Sequence, residues 1–152
     1  DAVGASSVEE LAMLDSNSVV AGFYLPGSNA LLGRRFVIRA SGHVTPGEAG
    51  TVTLNLYIDA IAIASSGDIE VTADGNFFLE AQCLGDNVSA LVQGLLSGQV
   101  AGTAITPAVL TAPLTSADFV TEGTHLVTVT VQFEESNAAN AAILDDLSLD
   151  LL

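Results

Sequence analysis

Hydrophobic and polar residues take turns along most of this chain. In THLVTVTVQFEE, Val127, Val129, Val131 and Phe133 share one parity and Thr128, Thr130, Gln132 and Glu134 the other. TVTLNLYID does the same, with Val52, Leu54, Leu56 and Ile58 opposed by Thr51, Thr53, Asn55, Tyr57 and Asp59. A period of two is that of a strand with one buried face. RRFVIRASGHV precedes it, with Phe36, Ile38 and Ala40 against Arg35, Val37, Arg39 and Ser41. The two segments are joined by TPGEAG, and Pro46 with Gly47 supplies turn chemistry, so a hairpin is expected here.

The same pattern extends in both directions. VVAGFYL is short and apolar, and PGSNALLG after it is a loop by composition. AIAIASS is a further strand or edge closed by SSGD, and Asp74-Gly75 is a turn dipeptide leading into NFFLEAQCLG. There Phe77, Leu79, Ala81 and Cys83 alternate with Phe78, Glu80, Gln82 and Leu84. VSALVQGLLSGQV continues through Val88, Ala90, Val92, Gly94 and Leu96, with Gly94 and Gly98 marking a bulge or a close backbone approach. Pro107 and Pro113 reduce AGTAITPAVLTAPLTSADF to loop and short edge strands, a small uncharged stretch suited to solvent or to another copy. SNAAN is a turn, and ILDDLSLDLL ends as a strand alternating Leu147, Leu149 and Leu151 with Ser148 and Asp150.

Residues 1–18 differ. Ser6 or Ser7 followed by Glu9 or Glu10 has capping-box spacing, and Val8, Leu11, Ala12 and Leu14 would share one face of a short helix. The segment is expected to be an arm or a short helix that packs on its own domain or docks on a neighbouring subunit. The rest, 19–152, predicts an all-β fold: an antiparallel sandwich of about eight strands, with a jelly roll the favoured topology and an immunoglobulin-like order the alternative.

Composition supports a single folded domain. The 152 residues are 49% hydrophobic and 14% charged, outside the range of disordered chains. No apolar run approaches the roughly 18 residues of a membrane span, so a soluble protein with no membrane partner is expected. The chain starts at Asp1 with no basic-then-apolar leader, consistent with one removed or none present. Charge narrows the partners. Eighteen acidic residues face three basic ones, a formal charge of -15, which repels phosphate backbones and argues against nucleic acid. Such acidity fits either adaptation to high salt or simple solubility.

Candidate chemistry is sparse. His43 and His125 are isolated from any Ser or Cys motif, so neither catalysis nor a histidine metal site is predicted. His125 shares the inward parity of its strand. Cys83 has the parity of a buried apolar residue and, alone, permits no internal disulfide. Asp145-Asp146, Glu134-Glu135 and Asp68 with Glu70 offer oxygen ligands without an EF-hand ladder, which leaves Ca²⁺ binding open. Asn87-Val88-Ser89 is formally a glycosylation triplet. All three cations, Arg34, Arg35 and Arg39, fall in one strand. They form either a patch that grips an acidic partner or ordinary cross-strand pairs with carboxylates such as Glu80 or Asp59.

Three segments carry a resemblance. FYLPGSNALLGRRFVIRASGHVTPGEAGTVTLNLYID resembles the opening of a family of small tailed-phage virion proteins: an apolar strand, a loop, Gly-(Lys/Arg)-x-Leu-Arg-Ile-Arg-Ala-Ser-Gly, then a Thr-rich strand. NFFLEAQCLG is similar to that family's middle motif, and VTVQFEESNAANAAILDDLSLDLL to its ending. The resemblance covers most of 19–152 and implies a non-enzymatic virion component without cofactor: a capsid decoration or head appendage subunit, or a tail or baseplate piece. It implies the major capsid protein or another virion protein as partner, and self-association, with a trimer favoured. The acidity without lysine departs from the family's opening and points to a host from salty water. A carbohydrate- or receptor-binding module is the alternative, with Tyr24 and Tyr57 as its candidate platforms and no Trp in the chain.

Overall fold

Alternating side chains commit the chain to two layers of pleated strand. The computed structural model describes residues 2–3, 10–11, 22–25, 35–58, 61–86, 91–113, 125–135 and 137–152. Eight strands of five residues or more carry the fold: β4 (Arg35–Thr45), β5 (Gly50–Ile58), β6 (Ile61–Ser65), β8 (Gly75–Asp86), β9 (Leu91–Val100), β11 (Ala108–Pro113), β12 (His125–Phe133) and β13 (Ala141–Leu151). Five short ones join them: β1 (Ala2–Val3), β2 (Glu10–Leu11), β3 (Gly22–Leu25), β7 (Ile69–Val71) and β10 (Thr103–Ala104).

The strands form two antiparallel sheets. One runs β1-β13-β4-β8-β9-β10, with β11 also on β9; the other runs β2-β12-β5-β6, with β3 on β12 and β7 on β5. The sandwich expected from the alternation is therefore present. Between the sheets lies one apolar cluster that includes Phe36, Ile38, Leu54, Leu56, Ile63, Leu79, Leu96 and Val129, each at most 1% exposed. Burying each such side chain contributes about 1.5–3 kcal/mol.

The expected hairpin between Arg34–Val44 and Thr51–Asp59 is not formed. β4 is hydrogen-bonded to β13 on one edge and β8 on the other, so no edge remains for β5, which pairs with β12 instead. TPGEAG is an arch that carries the chain across the core to the opposite sheet. Alternation reveals which side chains are buried, and says nothing about which edge a strand offers. The chain also crosses between layers around the expected turn at Asp74-Gly75, where β7 belongs to one sheet and β8 to the other. SNAAN likewise joins β12 to β13 across the sandwich.

Asn140 fastens these arches together. Its side chain, in a residue only 5% exposed, accepts the Gly47 N–H through Oδ1 at 2.7 Å and donates through Nδ2 to the Glu135 carbonyl at 2.7 Å. Ser66 plays a similar part between β6 and β7. Its N–H donates to the Leu54 carbonyl at 2.8 Å and its hydroxyl accepts the Leu54 N–H at 2.9 Å, bridging the gap the two short strands leave along β5.

Gly94 and Gly98 mark close approaches, as the sequence suggested. A Cβ on Gly94 would lie 2.6 Å from the Ile63 carbonyl oxygen in the opposite sheet. Gly98 has φ 141°, and a Cβ there would meet the Phe78 carbonyl oxygen at 2.0 Å. Beyond it, Ala101 (φ 48°) and Gly102 (φ 82°) make the tight turn into β10, with the two positive φ values of a type I′ hairpin loop.

Two other expectations change. Within 1–18, Ala2–Val3 and Glu10–Leu11 are extended and pair with β13 and β12 of their own chain, which removes Leu11 from the expected helix face; the remainder lies outside the described residues. Thr128 and Thr130 have outward parity yet are only 3% and 6% exposed, so that face of β12 is covered.

Asn140→Ala leaves the Gly47 N–H without its partner and is expected to cost about 2 kcal/mol. Urea denaturation would show it as a lower midpoint at unchanged slope.

Candidate interaction surface

The three arginines do not act alike. Arg34 lies outside the described residues. Arg35 opens β4, is exposed, and has no ion-pair partner among the described residues. Arg39, four residues on and on the same face, donates from Nε to Glu80 Oε2 at 2.9 Å and from Nη1 to Asp150 Oδ2. Glu80 sits directly across the strand pair, as expected from its parity. Asp59, the other proposed partner, is outside the described residues. Asp150 was not foreseen, because the contact spans 111 residues and depends on β13 lying beside β4.

Ordinary charge pairing thus accounts for Arg39. Gln82 Nε2 and the Arg39 guanidinium both donate to the Glu80 carboxylate and hold its pKa below the usual 4.5. These groups are partly exposed, so solvent screens the interaction and its contribution is small.

Arg35 borders a different feature. The outward positions of neighbouring strands align in rows, one of which reads Asp150, Val37, Gln82, Leu95 and Val109 from β13 to β11. The adjacent row places Arg35 beside Leu84 and Gln93. All of these but Asp150 line a shallow groove of about 350 Å³ on the outer surface of the seven-stranded sheet. Val37 is 5% exposed, while Leu84 and Leu95 are each 40% exposed. The sequence carried the signal, since Val37, Leu84 and Leu95 are large apolar residues at positions where alternation calls for polar ones.

All six exposed large hydrophobic residues among those described belong to this sheet or follow it directly: Phe78, Leu84, Leu95, Val109, Ile143 and Leu152. The opposite sheet turns Thr51, Thr53, Gln132 and Glu134 outward, and Asp68 joins them to line a small polar recess. There Thr53 donates its hydroxyl to Asp68 Oδ1 at 2.7 Å and Glu134 Oε2 accepts the Thr51 N–H at 3.0 Å. These carboxylates are engaged by their own strands. Among the described residues no three His, Cys, Asp or Glu side chains converge as a metal site.

The remaining candidates are scattered. Cys83 is 4% exposed, and burial pushes its thiol pKa up to about 12. His43 Nδ1 lies 3.0 Å from Asn76 Oδ1. His125 opens β12 opposite Leu25, with its side chain outside the described part, as is that of Tyr24. Tyr57 is half-buried and has an interaction partner. Asn87-Val88-Ser89 lies outside the described residues.

Two measurements check this account. Cys83 should resist iodoacetamide in the native protein at neutral pH and alkylate once urea unfolds it, because the thiolate is the nucleophile. Glu80, with its pKa lowered on folding, contributes stability that is present above about pH 4.5 and is lost as pH falls through its folded value. Glu80→Gln should therefore melt slightly below wild type at neutral pH, and the difference should vanish in acid. Compared with known proteins, the chain matches no protein-family model and no curated protein.

Proposed function

We propose that this chain is a structural virion protein of a tailed virus, a capsid decoration or head appendage subunit that attaches to the capsid lattice and to neighbouring copies. The observation that carries the reading is the one-sided placement, among the described residues, of exposed apolar side chains. A subunit laid on a shell needs one face that buries apolar area against other subunits and one that stays hydrated. Here the groove face holds Leu84, Leu95 and Val109, and the far sheet presents hydroxyls, amides and carboxylates. Attachment of that kind draws on area and on many copies acting together, with no converging catalytic groups required.

The likeness of segments 23–59, 76–85 and 129–152 to phage virion proteins supports the same reading. The major capsid protein or another virion protein is then the partner, the particle surface the location, and the charge of -15 a fit to a host from salty water. A tail or baseplate component is the nearest variant. Phe78 favours a second reading, a carbohydrate- or receptor-binding module: it is 44% exposed and flanked in register by Ser41 and Gln99, an aromatic platform with polar neighbours.

Antibodies against the purified chain, applied to density-purified particles from cells carrying the gene, test the proposal by electron microscopy. Regular labelling of heads or tails is the expected result. Unlabelled particles, together with glycan-array binding that Phe78→Ser abolishes, would establish the second reading instead.

A further inference from the structure

One cation and a strip of hydrocarbon follow each other along the groove. The register sets Arg35 directly beside Leu84, Leu84 diagonal to Leu95 across β8 and β9, and Leu95 directly beside Val109. Each step of that path spans roughly 5–8 Å, the spacing of opposite and diagonal neighbours on one face of a sheet. Leu84, Leu95 and Val109 are all exposed, while Val37 lies buried beneath.

Charge marks one end of the path. The chain has 18 acidic residues, yet none of the described side chains lining the groove is acidic, and its polar groups are Arg35, Gln82 and Gln93. Asp150, the outward neighbour of Val37, is turned to Arg39 instead. Arg35 has no ion-pair partner among the described residues.

We propose that the groove binds a single-chain amphiphile with a carboxylate head, of the medium-chain fatty acid class. Its head accepts hydrogen bonds from the Arg35 guanidinium, whose planar fork matches a carboxylate. Its chain lies over Leu84, Leu95 and Val109, where each methylene removed from water adds to the affinity. A single cation balances a monoanion. A phosphate monoester, with about -1.5 to -2 charges at neutral pH, would bring uncompensated charge onto a chain that already carries -15. The volume of about 350 Å³ is at the small end of ligand sites and suits one short chain rather than a two-chain lipid.

Net charge sets the conditions. The chain repels an anion from a distance, and at about 1 M salt the screening length falls to roughly 3 Å, which confines electrostatics to the contact with Arg35. The site belongs to the free chain, so binding there goes beyond the virion reading and is measured without a particle.

Titration of the isotope-labelled full chain with octanoate in about 1 M NaCl, followed by two-dimensional NMR, tests this. Octanol is the uncharged control. Octanoate should saturably shift amides of β4, β8, β9 and β11 around the groove and bind several-fold more tightly than octanol. Arg35→Gln should weaken octanoate roughly fivefold and leave octanol unchanged. Leu95→Glu should abolish both, and Gln132→Glu on the opposite sheet should affect neither, with circular dichroism confirming that each variant folds. An absence of saturable shifts with octanoate, shifts centred on the opposite sheet, or octanol binding wild type as tightly as octanoate would overturn the proposal. The last comparison needs no variant and decides the head group even where Arg35→Gln fails to fold.

Discussion

Phe36, Ile38, Ala40 and Val44 point into the same apolar cluster from a strand whose two edges are both occupied. β4 therefore cannot slip by one residue without turning its whole apolar set to solvent and breaking two ladders at once. Every other strand is positioned by this lock. β13 and β8 take their register directly from β4, β9 takes it from β8, and the facing sheet fills the space opposite with Val52, Leu54, Leu56, Val127, Val129 and Val131.

Because β4 has no free edge, the chain must leave its sheet at Thr45, and crossing between layers becomes the recurrent topological act. Arches are harder to hold than hairpins, since their backbone groups have no neighbouring strand to bond. Asn140 answers this by serving the Gly47 N–H and the Glu135 carbonyl at once, which joins the β4–β5 and β12–β13 crossings at one end of the sandwich. Along the open side of β13, β1 covers only Ala142 and Ile143 among the described residues. Asp145, Asp146 and Asp150 and a register shift occupy the stretch beyond, charged and irregular features that discourage unwanted strand addition.

The lock also divides the two outer surfaces. With one parity committed to the core, the other is freer to vary: Val37, Phe78, Leu84, Leu95 and Val109 interrupt the polar outward positions of one sheet, while Thr51, Thr53, Gln132 and Glu134 line a polar recess on the other. Apolar residues can thus accumulate at outward positions that folding does not need.

The sequence by itself determined the layer structure and the buried set. Val52, Leu54, Leu56 and Ile58, the four inward residues of β12, and Phe77, Leu79, Ala81 and Cys83 are buried as their parity requires, because a period of two is a local property of the backbone. It also identified Glu80 as a partner for an arginine, and Gly94 and Gly98 as close approaches. Pairing was decided only in three dimensions. Turn residues at Pro46-Gly47 and Asp74-Gly75 reverse direction equally well within a sheet or between sheets, and only the occupancy of the edges of β4 selects the second. The groove followed from that choice: Val37, Gln82, Leu95 and Val109 become one row, and Asp150 reaches Arg39, once β13, β4, β8, β9 and β11 lie side by side.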